Sequence, residues 1–267
     1  MDNSVGNDNL ISTEEGRIAE LLRERNLQHV NEISKTVYPK YTFYTKYGKR
    51  FLDLLISIPV FLILLPLNFI FGICTFIDVG RPILFKQTRV GKNGQHFTMV
   101  KFRNMNNKTD SEGKFLPPSE RTTKFGKIMR KYSFDELLNF WSVLKGDMSI
   151  IGPRPQPVFI YDRMSDRHKM RITLRPGLEC PRVIRNEWNN GSLYQWSFEN
   201  DVWYVENVSF FLDIWMVILL IKMVFSFRHR GDQAVGQGIS YFVGYDDEGI
   251  ATSYKNQLAR MVKEGSL

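Results

Sequence analysis

From Leu54 to Ile77 the chain reads LLISIPVFLILLPLNFIFGICTFI, without one charged side chain. No other stretch restricts the fold as strongly. A helix crosses a bilayer with about 20 consecutive apolar residues, and core helices of that length carry a polar face that this run lacks. Residues 54–77 are therefore read as a membrane helix. Pro59 and Pro66 each remove a backbone donor and tend to bend a helix. Asn68 places an amide where lipid offers no partner. Residues 40–50 carry Lys40, Lys46, Lys49 and Arg50, and residues 81–103 carry Arg81, Lys86, Arg89, Lys92, Lys101 and Arg103, with no acid in either flank. Basic flanks favour the cytoplasmic side. With both flanks basic, a helix that enters, kinks and returns to the same side explains the sequence better than a crossing. The alternative is one spanning helix with an ordinary proline kink.

The rest divides into an N-terminal soluble extension (1–45), a core (46–227) and a C-terminal tail (228–267). The N-terminus is polar and acidic, without the basic and apolar regions of a signal peptide, so the chain is expected to start in the cytoplasm. Ser12 and Glu15 have capping-box spacing, and Ile18, Leu21 and Leu22 follow at helical intervals. This predicts an amphipathic helix packed on the main body. Residues 84–103 predict a β-hairpin that turns at Asn93-Gly94. Residues 106–120 are turn-rich and polar, a surface loop. Thr122 or Thr123 caps a following helix with an apolar face of Phe125, Ile128 and Met129. On its other face stand Arg121, Lys124, Lys127 and Lys131, either solvated or against lipid headgroups. Residues 208–227 are apolar but contain Asp213 and Lys222, which favours an interfacial or core helix. The tail has Gly-rich turns and a final helical patch.

A net charge of +8 suits an anionic partner: nucleic acid, anionic lipid or a phosphorylated substrate. The basic residues cluster around the apolar run rather than among aromatic platforms, so nucleic acid ranks last. Cys74 and Cys180 imply no disulfide framework. His29, His96, His168 and His229 are scattered without metal-ligand spacing, which argues against zinc.

The sharpest local feature is KYSFDELLNFWSVLKGDMSIIGPRP, residues 131–155. Ser133 and Glu136 have capping-box spacing, Leu137, Leu138, Phe140, Trp141 and Leu144 form a helix face, and Gly146 is placed to end the helix. Taken alone, Asp135 and Glu136 read as ordinary first-turn acids favoured by the macrodipole. The same location would keep Asp135 ionised and able to act as a nucleophile. An adjacent Glu136 can hold Mg²⁺, which takes one or two carboxylates plus substrate phosphates. In Gly152-Pro153-Arg154-Pro155 the prolines stiffen the turn, and a guanidinium on a rigid mount suits bidentate phosphate binding. Alone, the tetrapeptide reads more readily as a surface turn with a solvent-facing arginine.

The ordered set of motifs resembles the bacterial sugar transferase family, the monotopic polyprenyl-phosphate phosphoglycosyl transferases. The matching pieces are Lys49-Arg50-Phe51-Leu52-Asp53, Pro66, Gln87-x-Arg89-x-Gly91, Lys101-Phe102-Arg103-Asn104-Met105 and Asp135-Glu136-Leu137. Leu144-Lys145-Gly146-Asp147-Met148-Ser149, Gly152-Pro153-Arg154-Pro155, Arg175-Pro176-Gly177 and Asp201-x-x-Tyr204-Val205-x-Asn207 complete the set. The resemblance implies a mainly helical α+β, membrane-associated (monotopic) domain with a re-entrant helix bent near Pro66 and a small β-hairpin or sheet. Lys49, Arg50, Asp53 and Pro66 would belong to the membrane anchor, at the cytoplasmic face of the bacterial inner membrane. The implied reaction moves a sugar 1-phosphate from a UDP-sugar to polyprenyl (undecaprenyl) phosphate and releases UMP. It would begin a glycan or exopolysaccharide pathway. Asp135 would carry the covalent intermediate, Glu136 would bind Mg²⁺, and Arg154 would match a phosphate-binding position. Lys101, Arg103 and Arg175 are further phosphate candidates. Membrane lipid is the expected surface partner, and a homo-oligomer stays open.

Two departures stand out. Leu65 occupies a position where the family often has Ser. The run Leu178-Glu179-Cys180-Pro181-Arg182-Val183-Ile184-Arg185-Asn186-Glu187-Trp188 replaces the family's Thr-Gly-Trp-Ala-Gln-Val-Asn-Gly-Arg type continuation. The competing reading is a non-catalytic membrane-bound interaction module of a glycan assembly complex.

Overall fold

A computed structural model describes residues 13–187, 193–225 and 241–263. Its longest element is inverted relative to a soluble helix. A helix, α1, spans Thr13–Ile33, and after a π-helical turn at Tyr44–Gly48 helix α2 runs from Lys49 to Val79, helical through both Pro59 and Pro66. The residues that α2 buries are Lys49, Asp53, Ser57, Asn68, Gly72 and Thr75. Its large apolar side chains face outward, with Ile63 70%, Phe69 71% and Ile77 78% exposed. A soluble helix buries its apolar stripe. The helix is long and apolar enough to cross a membrane.

Both ends of α2 are fastened to the same body. At its start, Lys49 pairs with Asp213 at 2.7 Å. Arg50 donates to the carbonyls of Val143 and Leu144 at 2.6 and 2.8 Å. Asp53 accepts from Ser149 Oγ and Ile150 N at 2.8 and 3.0 Å. At its end, Asp78 accepts from Thr123 Oγ1 at 2.6 Å, Val79 O accepts from Arg103, and Gly80 at φ 71° stops the helix. The charges of Lys49, Arg50 and Asp53 are thus engaged by protein groups.

The predicted hairpin forms from β1 (Leu84–Val90) and β2 (His96–Phe102), paired antiparallel from Leu84–Phe102 to Val90–His96. Asn93 and Gly94 carry the positive φ values of the turn, 54° and 81°. A short helix, α3 (Pro118–Arg121), precedes α4 (Lys124–Tyr132), whose cap is Thr123, accepting from Gly126 N at 2.8 Å. Ile128, expected on the inner face of α4, is exposed. Gly126 sets that rotation: a Cβ there would lie 2.1 Å from Asn104 O, so Gly126 and Met129 face inward and Ile128 turns out.

The capping box expected at Ser133 is absent. Ser133 is the left-handed C-cap of α4, and its N–H closes onto Met129 and Arg130 carbonyls. A 3₁₀ turn follows at Phe134–Glu136, and α5 begins only at Asn139, ending at Lys145 before Gly146 at φ 96°. The chain then passes through β3 (Ser149–Ile151), α6 (Val158–Tyr161), α7 (Asp166–Lys169) and β4 (Gly177–Glu179), with β4 parallel to β3. Helices α8 (Leu193–Asn207) and α9 (Phe210–Phe225) complete the core. Val143, Met148, Ile151, Val202, Tyr204, Val205 and Met216 fill it. Asp213 explains how an apolar helix keeps an acid. It is buried, pairs with Lys49, and accepts from the hydroxyls of Tyr44 and Tyr204, each at 2.5 Å.

The chain closes with β5 (Phe242–Tyr245), β6 (Ala251–Ser253) and α10 (Tyr254–Lys263). These pack against α1: Ile18, Ala19 and Leu22 meet Val243, and Val30 joins Phe242 and Tyr245. Ile18 and Leu22 point inward as their spacing predicted, whereas Leu21 is exposed. Ser12 of the predicted cap, Trp188 of the divergent run and tail residues 226–240 and 264–267 lie outside the described residues.

Candidate active site

The turn at Asp135 is held in an unusual backbone state. Ser133 takes φ 57°, ψ 27°, a region that costs a non-glycine residue roughly 1 kcal/mol or more. Phe134 braces it by stacking on Phe71 of α2 and on Tyr132, with ring centroids 4.9 and 5.4 Å apart. Asp135 is buried and accepts from Asn104 Nδ2 at 2.8 Å. No regular helix starts here, so the macrodipole is not what governs this carboxylate. Burial pushes its pKa above the usual carboxylate range, Lys101 and Arg130 pull it down, and Glu136 adds to the rise. Its ionisation therefore depends on two cations.

Glu136 is set differently. Burial alone would raise it, but Arg154 and Lys101 more than offset that and hold it below its usual range. Arg154 Nη2 reaches both Glu136 oxygens, at 2.7 and 3.0 Å, while the Arg154 side chain stays 44% exposed. Arg154 also lies 3.9 Å from Glu179. Lys101, opposite Phe85 in the hairpin, has its Nζ 5.5 Å from that ring. Burial lowers its pKa against the pull of Glu136 and Asp135.

Four of the predicted residues, Asp135, Glu136, Arg154 and Lys101, thus share one site. Arg103 and Arg175 have other engagements. Arg103 donates to Arg81 O at 3.3 Å and to Val79 O, where it caps α2. Arg175 Nε donates to Gly146 O at 2.9 Å, beyond the far end of α5, near the carbonyls that Arg50 holds. Asn104, Arg130 and Arg89 join the site without having been singled out for it. Asn104 lay inside a quoted motif, and Arg130 stands five positions before Asp135, across a chain reversal that no spacing announces. From the tail, Tyr241 stands close enough to Arg89 and Arg130 to bear on both charges.

Two adjacent carboxylates thus sit among Lys101, Arg89, Arg130 and Arg154. The surplus is positive, which suits a multiply charged phosphate ligand. Among the described residues no three His, Cys, Asp or Glu side chains gather to hold a metal ion. Glu136 completed by substrate phosphates would be a donor set of the kind Mg²⁺ takes, once its oxygens are released by Arg154, which contacts both of them here.

A buried, partner-dependent carboxylate thus sits beside a half-exposed arginine on a body with an outward-facing apolar helix. The sequence profile of the family described as "Bacterial sugar transferase" matches residues 44–227, and the chain belongs to that family. It is 40% identical over 148 residues to the uncharacterized sugar transferase EpsL of Bacillus subtilis, covering 55% of this chain and 72% of that one. It is 32% identical over 202 residues to the UDP-N-acetylgalactosamine-undecaprenyl-phosphate N-acetylgalactosaminephosphotransferase of Aeromonas hydrophila. That match covers 73% of this chain but 47% of the relative. A UDP-glucose:undecaprenyl-phosphate glucose-1-phosphate transferase of Escherichia coli is 30% identical over 183 residues, 65% of this chain and 39% of that one. The chain thus spans less than half the length of two of these three relatives.

Proposed function

We propose that the protein transfers a sugar 1-phosphate from a UDP-sugar to polyprenyl phosphate, with Asp135 as the nucleophile. The observation that carries this reading is the Asp135–Glu136 pair set among four cations, with Arg154 half exposed. An Asp135 carboxylate oxygen would attack the β-phosphorus of the UDP-sugar. The bond from that phosphorus to the bridging oxygen would break, and UMP would leave with the electron pair. A phosphate oxygen of the polyprenyl phosphate would then attack the same phosphorus and release the carboxylate. The product is a polyprenyl diphosphate sugar, the opening step of a surface glycan. This is covalent catalysis with preorganised charge.

Arg154, freed from Glu136 when a diphosphate arrives, would hold the phosphate oxygens. Lys101 and Arg130 keep Asp135 anionic for attack, and Asn104 orients it. Glu136 would bind Mg²⁺ together with the substrate's phosphates, and that ion would neutralise diphosphate charge. The outward apolar side chains of α2 support membrane insertion. The attachment of both helix ends to one body supports a re-entrant path at the cytoplasmic face.

The test is UMP release from a panel of UDP-sugars with undecaprenyl phosphate in lipid nanodiscs. Asp135→Asn is expected to fold normally and to release none; unchanged release in that variant overturns the assignment. Cysteine labelling at positions 43 and 80 in sealed vesicles reads topology. Both positions should react from one side, and labelling from opposite sides would exclude a re-entrant helix.

A further inference from the structure

The turn that carries Arg154 can be fixed only in a restricted way. Pro153 and Pro155 have no N–H, so their share of the backbone bonding falls on carbonyls. All three carbonyls from Pro153 to Pro155 are engaged. Gly177 N donates to Pro153 O at 3.0 Å. Arg171 Nη2 donates to Arg154 O at 2.8 Å, and Arg89 Nη1 donates to Pro155 O at 3.1 Å. The first bond is a backbone contact that needs glycine: a Cβ on Gly177 would lie 2.2 Å from Gly152 N. The other two come from guanidinium groups, and Gln156 Nε2 reaches Arg154 O as well, at a longer 3.5 Å.

Arg171 is the unusual donor. Its side chain is 2% exposed and pairs with Asp201, itself 3% exposed. Isolated charges are not buried in a protein interior without a partner. Asp201, on α8, neutralises Arg171 and also accepts from the thiol of Cys180, in the run that departs from the family pattern. Even so, Nη1 of Arg171 has no hydrogen-bond partner among the described residues, and its Nη2 is shared between Asp201 Oδ2 and the Arg154 carbonyl. A buried pair this incompletely satisfied is weakly stabilising at best. The bond that it directs toward the site goes to the carbonyl of Arg154.

We propose that Arg171, neutralised by Asp201, is a positioning residue that sets the stance of Arg154 over Asp135 and Glu136 by holding the Arg154 carbonyl. The proposal rests on the phosphoglycosyl transfer reading of that site. Its role is separate from phosphate contact, because Arg171 is sealed from solvent and acts through Arg154.

A double-mutant cycle in nanodiscs tests it. The pair is removed together, as Arg171→Met with Asp201→Leu, so that no lone charge is left buried. This variant is compared with Arg154→Ala and with the combined triple variant. UMP release gives kcat and KM, titration calorimetry gives pyrophosphate affinity, and thermal unfolding is followed in parallel. The pair variant should keep the wild-type midpoint and lose about tenfold or more in kcat and in pyrophosphate affinity. The triple variant should be no worse than Arg154→Ala. Losses that multiply in the triple variant, or a pair variant with wild-type rate and affinity, overturn the proposal. If the pair variant does not fold, Arg171→Lys decides: it keeps Asp201 neutralised but loses the fork, and should turn over at an intermediate rate, whereas a wild-type rate overturns the role. Should the wild type release UMP from no UDP-sugar, the transfer reading fails by itself. Pyrophosphate affinity then decides the positioning role: lost with Arg154→Ala yet retained without the pair, it overturns it.

Discussion

Two clusters of ionisable side chains among the described residues, one around Asp135 and one around His168, are built oppositely. Around Asp135 and Glu136 the cations outnumber the acids, one arginine stands half exposed, and the nucleophile candidate is pushed toward its neutral form. Around His168 everything is closed. His168 Nε2 lies 3.0 Å from Glu199 and Nδ1 lies 2.7 Å from the Tyr245 hydroxyl. A carboxylate only accepts, so Nε2 carries the proton and Nδ1 accepts from Tyr245. Arg167 Nη2 completes Glu199 at 2.7 Å, and Ser165 N donates to the Tyr245 oxygen at 2.8 Å. Burial alone would raise Glu199, yet the bonds from His168 and Arg167 bring it down to about 2. Burial pushes His168 below its ordinary value. Shifted pKa values therefore do not distinguish a site from a clasp. The two differ instead in charge balance and exposure, and the balanced cluster ties the tail, through Tyr245, to α7 and α8.

The comparison can be broken by substitution. Asp135→Asn should lower UMP release by roughly 10⁴-fold or more with little change in thermal midpoint. Arg154→Ala should cost about 10²-fold to 10³-fold in kcat/KM, again at constant stability. Glu199→Gln should reverse that pattern, losing about 3 kcal/mol of stability by denaturant titration and leaving kcat unchanged. Lys101→Met should raise the Asp135 pKa further. The acid limb of the pH–rate profile should already lie above the ordinary carboxylate value of about 4, and it should move up again in this variant. Acid should loosen the clasp. A histidine with a lowered folded pKa withdraws stability as pH falls below its unfolded value of about 6.5, and Glu199 withdraws more between about 4.5 and 2. Unfolding midpoints that rise on acidification through this window would contradict the clasp. Tyr245→Phe, the mildest change, should cost about 1 kcal/mol.

Much of the site was legible because its parts are short and contiguous. Asp135-Glu136, the proline-flanked Arg154 and the hairpin with Asn93-Gly94 are each local statements, and the apolar run needs only a count of charges. What escaped depended on contacts over long separations. Ser133 looked like an N-cap because its spacing to Glu136 is right, but its backbone closes α4 and Glu136 turns to Arg154. Arg103 and Arg175 are basic residues inside quoted motifs, and only the tertiary structure turns them to helix-end carbonyls. The tail was silent because Tyr245 gains its meaning from His168 and Glu199, far away in sequence and visible only when packed.

Phe71 lies on the outward-looking helix and stacks on Phe134, the residue before the nucleophile candidate. The element that would set the protein's depth in a bilayer is therefore in direct contact with the element that would perform the chemistry. In the proposed function this makes α2 a gauge. The height of Asp135 relative to the lipid phosphates would be fixed by the body's grip on both ends of the helix, so that an acceptor is measured by where its phosphate floats as well as by what it is.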